Sequence, residues 1–167
     1  GKPTLPLIHA MRTGTPAQAE LIANAIRSGD ASQLPAVLEI VQATGNRARV
    51  RALSYAVAME IHAVCNLRVG RYAEAASAGA ITMADWQKKF IGDGLAAVEA
   101  MLDHPATGRF CHGDTVSMAD LCLLPQVYNA HRWGVDVTSL LQISRIAGEL
   151  QSMPAIAAAL PDMVKPQ

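Results

Sequence analysis

Val50, Leu53, Val57, Ile61 and Val64 recur at steps of three and four residues, the spacing that lines them up along one stripe of an α-helix. A chain with such a stripe must bury it against other apolar surface, and the remaining sequence offers helical partners for it. No segment defends the alternation of period two that a half-buried strand needs. Composition points the same way. Of 167 residues, 51% are hydrophobic but only 4% aromatic, and much of the apolar share is alanine. Alanine fixes no rotamer and hides no polar group in a helix. The expectation is an all-α fold with one good core, or two small helical units packed together.

Start and stop signals divide the chain. Thr4 precedes a short helical run over residues 5 to 11, with Pro6 in its first turn and Gly14 beyond its end. Thr15-Pro16-Ala17-Gln18 joins an N-cap, a proline at the first helical position and a glutamine at the third. This capping box opens a helix to about residue 28, where Gly29 supplies the stop. A third helix covers roughly residues 33 to 43 and ends at Gly45. The stripe itself belongs to one long helix from Arg47 to about Tyr72. Thr82-Met83-Ala84-Asp85 opens the next, which carries Trp86, Phe90, Leu95, Val98 and Leu102 and stops before Pro105. Residues 105 to 116 are a loop. Ser117 then stands as N-cap with Asp120 three residues later, and Val116 and Leu121 occupy the two positions of a hydrophobic staple. These start a helix over residues 118 to 130. Asp120 is structural first, and loss of such a cap costs about 1 kcal/mol. Two shorter helices follow, near residues 140 to 150 and 154 to 160.

Fourteen basic and fourteen acidic side chains cancel, which excludes the basic excess of a nucleic-acid binder. No apolar run reaches the roughly 18 residues that span a bilayer, and no signal peptide is expected. Cys65, Cys111 and Cys122 are odd in number and far apart, so a reduced, cytoplasmic compartment is expected. Cys111 and His112 are adjacent without a second pair at zinc-ligand spacing, so no metal is expected. Cys65 reads as a buried thiol acting as a small apolar side chain. Gly1 is not a start methionine, and the expectation is a fragment or a processed product.

Residues 46 to 167 resemble the C-terminal helical domain of zeta-class glutathione transferases of the maleylacetoacetate isomerase type. The resemblance is carried by EIHAVCNLRVGRY from Glu60, GLAAVEAML from Gly94 and GRFCHGDTVSMADLCLLPQVYNAHRWGVDV from Gly108. It implies a glutathione-transferase C-terminal-type helical bundle, here preceded by two to three short helices. It also implies a role in aromatic amino acid catabolism, glutathione as cofactor, and a cis–trans isomerisation of a small dicarboxylate such as maleylacetoacetate or maleylpyruvate. Self-association, including a homodimer, is a further expectation. By the same resemblance Arg132 grips a substrate carboxylate, a task that suits a guanidinium fork. His62 and Asn66, four residues apart on one face of the long helix, would stand beside the active-site cleft. Arg68 and Arg71 read as solvated charge, the alternative being that they add positive potential for an anionic substrate. Three departures from the pattern stand out: Ala63 where proline is common, Cys65 where an amide is common, and Leu-Leu-Gln-Ile over residues 140 to 143 in place of Tyr-Pro-Thr-Ile.

The chemistry of that family needs a thiolate held by a hydroxyl donor and a helix N-terminus. In the family these come from a thioredoxin-like domain, and no βαβ pattern precedes Asn46. The chain is therefore expected to be the substrate-pocket half of the isomerase, without catalytic residues and inactive alone. The alternative is a non-catalytic helical interaction or structural module. Residues 1 to 45 resemble a different family, the segment of a trans-polyprenyl diphosphate synthase after its second aspartate-rich motif, carried by GKPTLPLIHAMRTGTPAQA. Prenyl transfer needs two aspartate clusters holding Mg²⁺. Neither is present, and Lys2 is the one residue that the resemblance would place near a diphosphate; a remnant of such a synthase is the third functional reading. The expectation is chimera-like, with a silent segment over residues 1 to 45 joined near Gly45-Asn46 to the isomerase-like residues 46 to 167.

Overall fold

The computed structural model describes residues 7, 10 to 12 and 14 to 164; Lys2 and most of the first expected helix lie outside them. The fold is all-α. Among the described residues the one β-type contact is an isolated bridge between Thr107 and Gly113. The chain divides into two compact units, Gly1–Arg49 and Val50–Gln167.

In the first unit, helix α1 is Pro16–Ser28. Thr15 Oγ1 accepts from the Gln18 N–H at 3.3 Å and Gln18 Oε1 accepts from the Thr15 N–H at 2.9 Å, so the capping box forms at the expected residues. Gly29 ends the helix at φ 66°, its N–H donating to the Ala25 carbonyl. A 3₁₀ turn, Ala31–Gln33, leads into α2, Leu34–Tyr55. Ala10, Ile22, Val37 and Ile40 form a small buried core. The helix expected to end at Gly45 runs on through it. Gly45 is exposed with open space around it, and one such glycine costs only about 1 kcal/mol against alanine. The junction expected at residues 45 and 46 thus lies inside one helix.

In the second unit the end of α2 passes into a π-helical turn, Ala56–Ile61, and a last α-turn, His62–Val64. The chain then breaks at Cys65 and Asn66 and restarts as α3, Leu67–Ala76. A single helix to residue 72 was expected, and the break has a local cause. Asn66 sits at φ −61°, ψ 135°, and its Oδ1 accepts from the Arg68 N–H at 2.9 Å. Asparagine competes with the helix for backbone groups and caps the next one. Distant donors hold the carbonyls released by the break: Trp86 Nε1 donates to Val64 O at 3.0 Å and Gln87 Nε2 to Cys65 O at 2.8 Å.

Four further helices complete the frame of this unit: α4, Met83–Leu102; α5, Met118–Arg132; α6, Leu141–Gln151; and the single-turn α7, Pro154–Ala157. A last turn, α8, is Pro161–Val164. Leu53, Val57 and Ile61 of the stripe meet Ile91, Leu95 and Val98 of α4, Leu123 and Val127 of α5, and Ile143, Ile146 and Leu150 of α6. Each such side chain, fully buried, contributes about 1.5–3 kcal/mol. A Cβ on Gly94 would lie 2.5 Å from Ile61 Cγ1, so α4 can lie against the π turn only with glycine there.

The start of α5 is held tightly. Ser117 N and Oγ both donate to Asp120 Oδ2, at 2.8 and 2.7 Å, while Cys111 N donates to Asp120 Oδ1 at 2.8 Å. One carboxylate, 0% exposed, thereby joins the preceding loop to the helix. Leu121 is 53% exposed, so it does not act as the buried half of a staple. The start of α6 is held by Glu99, whose two oxygens accept from the Gln142 and Ile143 amides at 2.8 and 2.9 Å. Cys65, Cys111 and Cys122 form no disulfide with one another. Among the described residues no helix is long and apolar enough to cross a membrane.

Candidate functional site

The break at Cys65 and Asn66 and the last turns of α5 enclose a cavity of about 340 Å³ lined by His62, Cys65, Asn66, Leu67, Pro125, Tyr128, Asn129, Arg132 and Trp133. Arg132, His62 and Asn66 meet there. Arg68 and Arg71 do not line it. The route by which His62 and Asn66 arrive differs from the expected one. They do not share a helical face, because the helix ends between them; the break turns Asn66 onto the same cavity.

Each polar group on the wall has a different commitment. Arg132 lies in the last turn of α5, where a cation also complements the helix dipole. It is exposed, and the ion pairs of the described residues (Arg27–Glu20, Lys89–Asp93 and Arg109–Glu149) leave it out. Asn129, three residues earlier on the same face, presents a half-buried carboxamide. The Asn66 Oδ1 is taken by the Arg68 amide, so its NH₂ is the group left to offer. His62 Nδ1 lies 3.0 Å from Oε1 of Gln126, a side chain with no exposure at all. Burial pushes the Cys65 thiol up to about 11, so it is protonated at neutral pH and a poor nucleophile.

Two apolar clefts adjoin the cavity. One, about 260 Å³, lies among Val57, Ala58, His62, Leu121, Cys122 and Pro125. The other, about 310 Å³, is bounded by Leu121, Leu124, Pro125 and Tyr128 on α5 and by Ile156 and Leu160 beyond α6. Pro125 borders all three, and its missing N–H leaves the Leu121 carbonyl without its helical donor. The whole arrangement is a small open basin with a cation and two amides on its wall and apolar surface beside it. It suits a small anion with carboxylates. Sequence reasoning missed Asn129 and Gln126. The i, i+3 spacing of Asn129 to Arg132 could have found the first, and nothing local marks the second.

No family model matches the chain. The maleylacetoacetate isomerase of Rhizobium meliloti (strain 1021) is 56% identical over 122 residues, a match covering 72% of this chain and 57% of that protein. The maleylacetoacetate isomerase of Emericella nidulans is 34% identical over 161 residues, covering 92% of this chain and 66% of its own length. Among solved structures, maleylacetoacetate isomerase from Methylobacterium extorquens AM1 with bound malonate and GSH superposes with a TM-score of 0.68 at 32% identity, over 72% of this chain and 57% of that one. The chain thus spans a little over half to about two thirds of the length of these relatives. The polyprenyl diphosphate synthase resemblance of residues 1 to 45 gains no support from them, and the Emericella nidulans match extends over nearly the whole chain. By sequence and by structure, the homologues and neighbours of this chain are maleylacetoacetate isomerases and glutathione transferases of the zeta class.

Proposed function

We propose that this chain forms the substrate-facing wall of a glutathione-dependent cis–trans isomerase acting on a dicarboxylate of the maleylacetoacetate or maleylpyruvate type, and that alone it does not turn over. The observation that carries the reading is the single cavity on which Arg132, His62 and Asn66 converge, in a chain 56% identical to a maleylacetoacetate isomerase over 122 residues. Arg132 offers a fork of donors with no acidic partner, suited to one carboxylate of the substrate. The NH₂ groups of Asn66 and Asn129 offer neutral donors beside it. The adjoining apolar clefts leave room for the carbon chain.

Glutathione, if bound beside this wall, would supply a nucleophilic thiolate for reversible addition to the double bond. The residues on this cavity do not fit what such a thiolate requires. The helix N-terminus at its edge, that of α3, is already filled by the Asn66 side chain, and the Cys65 thiol is held protonated by burial. This wall therefore binds and orients the substrate, and no thiol step is assigned to it.

The test joins calorimetric titration of malonate with an absorbance assay of glutathione-dependent maleylpyruvate isomerisation. Malonate is expected to bind, and Arg132→Ala to weaken it about 10- to 100-fold, the worth of a charged hydrogen bond of roughly 1.5–3 kcal/mol. Isomerisation should not rise above the glutathione-only rate. Turnover that falls with Arg132→Ala would place thiol activation within this chain, and the absence of dicarboxylate binding would remove the reading altogether.

A further inference from the structure

The contact between His62 and Gln126 runs from the cavity into the core, and it is an odd one for a core to keep. Gln126 is 0% exposed. Its Oε1 lies 3.0 Å from His62 Nδ1, while its Nε2 has no hydrogen-bond partner among the described residues. An unpaired buried amide N–H costs about 1–3 kcal/mol. An apolar side chain of the same size would serve the packing of α5 better. The contact that Gln126 does make is with a residue that borders two cavities.

We propose that Gln126 is a positioning residue that fixes the tautomer of His62. An amide oxygen carries no hydrogen, so the proton in this contact belongs to the ring, and Nδ1–H donates inward. Nε2 is then the nitrogen left to the open side, and it has no partner among the described residues. Two forms of the ring satisfy Gln126: the neutral Nδ1–H tautomer and the doubly protonated imidazolium. The neutral Nε2–H tautomer does not. In the neutral form allowed, Nε2 holds a lone pair and repels a carboxylate. His62 can therefore donate from Nε2 to an anionic ligand only as the imidazolium, so making that contact from the neutral ring takes up a proton. The other titratable groups on its two cavities are Cys65, Cys122, Tyr128 and Arg132. The tautomer half of the proposal stands without any assumed substrate; the proton-uptake half rests on the dicarboxylate reading above.

Two-bond ¹H–¹⁵N correlation spectra of the imidazoles test both halves, with His62→Gln assigning the resonance. With the ring neutral, the free chain should show His62 as the Nδ1–H tautomer. Gln126→Leu should admit the Nε2–H tautomer, and Gln126→Glu, which keeps an inward acceptor if the leucine variant fails to fold, should retain Nδ1–H. An Nε2–H ring in the unaltered chain overturns the proposal. Added malonate should move His62 to the imidazolium pattern. Malonate that binds without this change overturns the second half. Malonate that does not bind removes the dicarboxylate reading and the second half with it, while the tautomer still decides the first.

Discussion

At the N-terminal end of α5 both oxygens of Asp120 are engaged, one by the Cys111 amide and one by the amide and hydroxyl of Ser117, and no part of the side chain meets solvent. At the other end of the same helix, Asn129 and Arg132 stand on an open cavity with no side-chain partner among the described residues. One helix thus carries two kinds of polar group. Those at its start are satisfied internally and hold the loop over residues 103 to 116 in place. Those at its end have no side-chain partner among the described residues, which leaves their donors open to a ligand. If this division is real, mutations should separate stability from binding along fifteen residues of α5.

The largest effect is expected at the satisfied end. Asp120→Ala removes the acceptor of three donors, at least one of them the buried Cys111 amide, and should cost about 3–5 kcal/mol in urea unfolding. Malonate affinity of the molecules that remain folded should stay as it was. A loss of affinity at full occupancy of the fold would break the comparison, because the two ends would then be coupled. Arg132→Ala is the converse. It should alter stability by less than about 0.5 kcal/mol, as exposed substitutions do, while affinity falls at least about tenfold. Destabilisation by Arg132→Ala with affinity unchanged would make the arginine a helix-end cation and nothing more.

The floor of the cavity supplies a third test, through pH. The thiol of Cys65 has an ordinary value of 9.0 and is raised by burial to about 11. The folded state therefore keeps its proton over a range in which the unfolded chain has lost it. Stability from this source is fully present below pH 9 and is lost as pH rises towards about 11. The loss should amount to about 2 kcal/mol or less. Urea midpoints measured from pH 8 to 11 should fall, and Cys65→Ala should flatten that part of the curve. Unchanged slopes in the two proteins would mean that water reaches the thiol. In alkylation near pH 8, Cys122, which is half-buried, should react before Cys65.

What could be read from the sequence, and what could not, divides along the range of the interactions involved. The starts of α1, α4 and α5 were legible because Thr15, Thr82 and Ser117 each find their partner three residues away. The interruption after Val64 was not. It depends partly on Trp86 and Gln87, 22 residues on, which take up the carbonyls that a continuous helix would have used. The hold of Glu99 on α6 spans more than forty residues and leaves no local mark. Gly45 misled because a helix breaker in sequence is only a modest penalty once its neighbours favour the helix. At the site, Arg132, His62 and Asn66 were named through a resemblance, and the fold gathers them on one cavity. Gln126 could not have been named, since a glutamine in α5 looks alike whether it faces water or an imidazole. The π turn Ala56–Ile61, which immediately precedes His62, is written in ordinary helical residues.

Asn66 belongs to both ends of the comparison at once, and it gives the smallest and most discriminating test. Its oxygen caps α3 and its NH₂ is free for the cavity, so a single substitution confounds the two roles. Asn66→Ala should lose about 1 kcal/mol of stability with the cap and some affinity with the donor. Asn66→Asp keeps an oxygen for the Arg68 amide and adds a negative charge at a helix N-terminus, where it is welcome. Its stability should lie within a few tenths of a kcal/mol of the unaltered chain or slightly above it. It has no NH₂, however, and turns a carboxylate toward an anionic ligand, so malonate should bind several-fold more weakly than to the alanine variant. Equal affinities for the alanine and aspartate variants would show that Asn66 only caps, and the binding end of the molecule would then reduce to α5 and the ring of His62.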